Sequence, residues 1–236
     1  MGRFFNVDPL SEKYAYQSHY NFSENRVVDG RELEGLEWAS TKNDKGITTN
    51  RQLAVSINNN TKLKDKQFNQ LVEFIKKDFS KTYGADGAKA ELIISDKATM
   101  KVEIVNQTSE VITNENGEEF SKFKGGVTAT LGETQENSFT VTGTVDGTKR
   151  GNSDIARSFN HESGHSAGLD HPWENRDKVS DVNQKSKDVS PKTVKANLLN
   201  SGANPNPNYK QSAGSKLTSG QLKKMDEIIQ SQQPKN

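Results

Sequence analysis

His161-Glu162-Ser163-Gly164-His165-Ser166-Ala167-Gly168-Leu169-Asp170-His171 reads as H-E-x-x-H-x-x-G-x-x-H. On an α-helix the first two histidines, four residues apart, project from one face about 6 Å apart along the axis, close enough to share one metal ion. Two imidazoles half-fill a tetrahedron, and a catalytic zinc takes three protein ligands with one position left open, so a third ligand must come from beyond the helix. Gly168 provides the means: lacking a Cβ, it can take positive φ, end the helix and turn the chain so that His171 reaches the metal. Pro172 then bars any resumption of helix. The chain has four histidines, and three of them fall in this pattern.

Glu162 lies beside a ligand without being one. Its carboxylate is placed to act as general base on water acidified by the metal, the chemistry of peptide hydrolysis. These eleven residues resemble the signature of the metzincin zinc endopeptidases. The resemblance implies His161, His165 and His171 as zinc ligands, Glu162 as base and a protein as substrate. It also implies an α+β fold of zincin type: a mixed, twisted sheet with an active-site helix and a C-terminal helix.

Composition narrows the rest. Of the 236 residues 30% are hydrophobic, so the core is modest and the loops are polar. The formal net charge of +1 gives no electrostatic case for nucleic acid or an anionic membrane surface. No run approaches the roughly 18 apolar residues of a membrane span, so no membrane insertion is expected. Cysteine is absent. Metal chemistry therefore falls to histidine and carboxylate. Met1 followed directly by Gly-Arg-Phe-Phe reads as an added start on a piece of a longer protein, with any export signal outside it.

Residues 1–38 differ in kind, with Phe4, Phe5, Tyr14, Tyr16, Tyr20, Phe22 and Trp38 crowded together. The stretches Gly2 to Leu10, Tyr20 to Asn25 and Asp29 to Leu36 resemble the end of the Rhs/YD-repeat core, a family of large β-cocoons whose variable C-terminal tails are commonly toxins. Asp29 is followed here by Gly30, where many members carry Asp-Pro near an autoproteolytic cut. The resemblance implies a toxin delivered from a bacterium to act in a target cell's cytoplasm. It also implies two partners, the rest of an Rhs shell and a cognate immunity protein. Residues 39–50 are polar and aperiodic and read as a linker, with the zinc metallopeptidase domain at 51–236.

Within that domain Leu53 to Ile57 alternates as a short strand, and Phe68, Leu71, Val72, Ile75 and Phe79 recur at helical spacing over about 62–82. Strands follow at Glu91 to Ser95, from Lys101 to Val105 onward, at Gly126 to Leu131 and at Phe139 to Val145. In the last of these Phe139, Val141, Gly143 and Val145 give a buried face and the three threonines between them a solvated one. A metzincin pairs one edge strand with extended substrate, and the last two strands are both candidates. Ser153 or Asp154 is placed to cap the histidine helix. Trp173 to Val189 reads as a polar loop with a solvated charge run. Ser190-Pro191 starts a short helix. Thr218 and Gln221 form a capping box for a final amphipathic helix through Ile229.

The family also places a methionine turn beneath its zinc. Asn197-Leu198-Leu199-Asn200 resembles that segment with Leu199 in the methionine's place, a side chain of nearly equal volume. Met225 is the alternative floor residue, or simply core of the last helix. Tyr209 is a candidate oxyanion donor, as a tyrosine is in some of the family, or an ordinary packed tyrosine. Two other readings stand beside the toxin protease. One is a secreted housekeeping or digestive metalloprotease. The other is a non-catalytic module in which zinc only holds the fold; Glu162 argues against it, since a structural site has no use for a carboxylate there.

Overall fold

The computed structural model describes residues 37–113, 119–123, 132–135, 138–209 and 214–233. The Rhs-like stretches before Glu37 and the expected strand Gly126 to Leu131 lie outside these residues. Among these described residues the architecture is α+β, a mixed seven-stranded sheet with four helices.

The chain enters as β1 (Trp38–Lys42), turns through Asn43 to Ile47 and returns antiparallel as β2 (Thr48–Asn60). Residues 39–50, expected as a linker, are thus mostly strand. The turn explains how: Asn43 Oδ1 accepts from the Lys45 and Ile47 amides and Gly46 takes φ +74°, a self-contained reversal that polar residues build well. β2 runs well past the expected Leu53 to Ile57 at both ends. Helix α1 (Asp65–Tyr83) follows, its N-terminus closed by the Gln67 side chain accepting from the Lys64 amide. Its apolar stripe is buried as the spacing predicts, through Leu71, Ile75 and Phe79.

After α1, β3 (Lys89–Ile94) pairs parallel with the first part of β2, and β4 (Lys101–Gln107) pairs parallel with the last part. β5 (Ser109–Thr113) and β6 (Glu119–Phe123) form a separate antiparallel pair. β7 (Gly132–Gln135) is antiparallel to β8 (Ser138–Val145), which is parallel to β4 and turns through Asp146-Gly147 into β9 (Thr148–Lys149). β8 therefore has neighbours on both sides, which removes it from the two candidates for the substrate-pairing edge. Nor are its threonines all solvated, since Thr142 and Thr144 are 1% and 0% exposed. Thr144 Oγ1 donates to Asn106 Oδ1 at 2.7 Å, which answers that hydroxyl inside the protein, and the backbone carbonyl of Thr142 accepts from Arg150 at 2.6 Å.

The remaining helices are α2 (Asn152–Ser166), α3 (Pro191–Ala196) and α4 (Ser219–Gln232). α2 begins before both expected caps, Ser153 and Asp154: Gly151 is its N-cap, and Asp154 lies in the first turn, where its negative charge suits the helix dipole. Ser190 caps α3 and the Thr218–Gln221 capping box closes α4, both as the sequence predicts. No helix among the described residues is long and apolar enough to cross a membrane.

One core joins these pieces. Phe159 of α2 meets Phe139 of β8 edge to face at 5.2 Å. Trp38 stacks on Phe79 at 5.6 Å, packs edge-on to Tyr83 at 5.1 Å and donates from Nε1 to Ser166 Oγ. β1 is thereby tied to both α1 and the C-terminal end of α2.

Candidate metal centre

α2 carries the first two histidines, and Ile155, Ala156 and Phe159 bury one side of it, which fixes its rotation. The helix ends at Ser166. Gly168 takes φ +81°, as its place in the motif requires, and the Leu169 amide reaches back to the Gly164 carbonyl at 3.0 Å. The turn delivers His171 beside its two partners. His165 Nε2 lies 3.1 Å from His161 Nε2 and 3.2 Å from His171 Nε2. All three residues offer a ligand atom within 4.8 Å of one another.

The opposite edge of each ring decides what those short separations mean. His161 Nδ1 is 2.8 Å from the Leu198 carbonyl, His165 Nδ1 is 2.8 Å from the Leu169 carbonyl, and His171 Nδ1 is 2.8 Å from Glu174 Oε2. These oxygens only accept, so in the neutral form of each ring Nδ1 carries the proton and Nε2 presents a lone pair. Three lone pairs turned on one point cannot hydrogen-bond to one another. They fit a cation. Burial, then the neighbouring His165, pushes His161 well below the usual histidine range; burial, then His171, brings His165 down to about 4. Both are therefore neutral near pH 7, the form that binds metal. The three histidines can hold a metal ion.

Glu162 is buried on α2 next to His161. Behind the helix, burial and then the Glu162 carboxylate raise the pKa of Tyr83, whose hydroxyl donates to the Asn160 carbonyl at 2.5 Å. Leu199 packs at the same place on the helix, where a Cβ added at Gly164 would meet its two methyls at 3.2 and 3.3 Å and the Tyr83 hydroxyl at 3.5 Å. The segment around it is braced: Asn197 Oδ1 accepts from the Leu199 amide, and Arg157 of α2 donates to the carbonyls of Asn200 and Gly214, each at 2.7 Å. That brace holds the Leu198 carbonyl on which His161 rests. Of the two floor candidates, Leu199 packs against Gly164 of α2, and Met225 is buried in the core on α4. Tyr209 is joined to this segment through its carbonyl, which accepts from Asn200 Nδ2 at 3.3 Å.

The sequence reading left several contributors in the polar loop after His171. Glu174 receives His171, and Trp173 stacks on its ring at 4.2 Å with the planes 10° apart. Farther along, Asp181 accepts from Thr218 Oγ1 and the Gly220 amide, fastening the loop to the start of α4. A carboxylate three residues after the third histidine was the available sign of Glu174. Comparison with protein-family models and with curated proteins finds no match for this chain.

Proposed function

We propose that the chain is a zinc-dependent endopeptidase, the toxic effector at the end of an Rhs-type polypeptide. The observation that carries the catalytic part is the set of three Nε2 lone pairs turned on one point by fixed Nδ1 partners, with Glu162 next to a ligand on the same helix. Three imidazoles without cysteine suit zinc, and they leave the open position that separates a catalytic from a closed structural site. Among the described residues the group has no fourth member.

A zinc ion held there supplies Lewis acidity, acidifying water and polarising a carbonyl. The chain's own residues do the rest. The Glu162 carboxylate takes a proton from the attacking water and returns it to the departing amine nitrogen, so the peptide bond is exchanged for an acid and an amine. β7 is the outer strand of the described sheet beyond β8, and its free side suits antiparallel pairing with an extended peptide. Tyr209 is the candidate to steady charge on the carbonyl oxygen. The effector part of the reading rests on the resemblance of residues 2–36 to the end of an Rhs core. It carries an immunity protein that covers the His161 to His171 cleft.

The test is expression of the chain in the cytoplasm of a susceptible bacterium, with new protein N-termini mapped by mass spectrometry. Growth arrest and new termini that both vanish in Glu162→Gln are expected, and the neighbouring gene's product should relieve the arrest. Normal growth with a soluble, zinc-loaded and proteolytically active chain would rule out the toxin reading for that host. Full activity in Glu162→Gln would rule out Glu162 as base.

A further inference from the structure

The three imidazoles are held from behind in two ways. His161 and His165 rest on backbone carbonyls, those of Leu198 and Leu169, which no substitution removes. His171 rests on a side chain, the carboxylate of Glu174. We infer that Glu174 is the positioning residue of the third metal ligand, and that through His171 it sets how tightly the site holds its ion. The inference rests on the zinc-site reading above.

The surroundings of His171 are built to keep this contact. The Glu174 and Asn175 amides both donate to the His171 carbonyl, at 3.0 and 3.2 Å, which closes a turn and brings residue 174 back over the ring. Asp170 and Asp177 clasp the base of the turn, each accepting from the other's amide, at 2.9 and 3.1 Å. Asn175 and Lys178 take φ +51° and +60°, conformations that Asn tolerates and Lys rarely adopts, where the chain reverses. Trp173 covers one face of the imidazole while Glu174 holds its edge, so the ring is fixed in two directions.

Energetically the carboxylate differs from the two carbonyls. It carries a full charge, and a charge-assisted hydrogen bond is roughly twice as strong as a neutral one. Drawing the Nδ1 proton toward that charge makes Nε2 a better donor to a cation, and outer partners of this kind are worth about 10–100-fold in metal affinity. Arg176 lies 3.6 Å from Glu174 but is 75% exposed, so it weakens this effect little.

The test uses the full chain, stripped of metal and titrated with zinc against a chromophoric chelator. Glu174→Ala is expected to weaken zinc binding about 10–100-fold. Glu174→Gln, whose amide oxygen still accepts from Nδ1 but carries no charge, should fall between it and the parent. The visible absorption of the cobalt-loaded protein should shift in the same order, a change that a mere loop brace would not produce. His171→Ala is the benchmark. Parent affinity and an unchanged cobalt spectrum in both Glu174 variants, with a large loss in His171→Ala, would overturn this inference and leave the site standing. Parent affinity in His171→Ala would overturn the site itself and this inference with it.

Discussion

Gly168 shows what one residue decides at this site. Its φ of +81° lies where a side chain costs about 1–2 kcal/mol, and a Cβ there would also stand 2.9 Å from Ile228 Cδ1 of α4. Gly168→Ala is therefore expected to lower the stability of the zinc-free protein by about 1–3 kcal/mol and to weaken zinc binding, because the turn that delivers His171 must shift. Denaturant unfolding and zinc titration read the two effects separately; an unchanged affinity would mean that His171 does not depend on this turn. The clustering of the three histidines and the turn at this glycine were legible because their spacing has only one economical meaning in three dimensions. Glu174 and Trp173 were not, since a lone carboxylate and a tryptophan in a polar stretch carry no periodicity. Only a folded turn sets them against His171.

At the scale of elements, the loss of legibility came from polar residues doing interior work. Arg51 of β2 is 1% exposed, and its guanidinium donates to Asp226 of α4, to Asp86 after α1 and to the Tyr83 carbonyl. Burial opposes its charge, and the two carboxylates more than offset that, holding its pKa above the usual value. In the sequence it stood only as the residue just past an expected linker. Asp226→Ala removes one partner and leaves a buried charge short of compensation, which is expected to cost about 3–5 kcal/mol by denaturant unfolding. A loss below about 1 kcal/mol would show that the pair is not needed to join α4 to the sheet. Asp86 adds a pH dependence. The hydrogen bond from Arg51 lowers its pKa in the folded state, so the folded protein binds fewer protons there than the unfolded chain. Its contribution is complete above the ordinary aspartate value and is lost as pH falls through the lowered one. The fall in stability on acidification should be shallower in Asp86→Asn, and an identical slope would deny the ion pair its part.

For the molecule as a whole, helix and strand order could be read from periodicity, but the unit's extent could not. Trp38 and β1 belong to the same core as Phe79 and Tyr83, although the eleven residues from Ser40 to Asn50 hold a single large apolar side chain, Ile47, and no alternation in them announces a strand. A chain beginning at residue 51 loses that tryptophan, β1 and the first three residues of β2. Truncating one large buried aromatic costs about 3–5 kcal/mol, a large part of the roughly 5–15 kcal/mol that holds a domain together. Such a chain is expected to lose cooperative thermal unfolding, while one beginning at residue 37 keeps it; equal melting of the two would contradict a structural role for β1. The sheet, the two long helices and the braced loops all converge on the placing of three imidazoles, and the metal is where the account is most exposed. The decisive measurement is zinc-edge X-ray absorption on the chain loaded with one equivalent of zinc. The account predicts three imidazole nitrogens and one further light atom at about 2.0–2.1 Å, unchanged in Glu162→Gln and lost in His165→Ala. A spectrum without imidazole scattering, or one that survives His165→Ala intact, would contradict it.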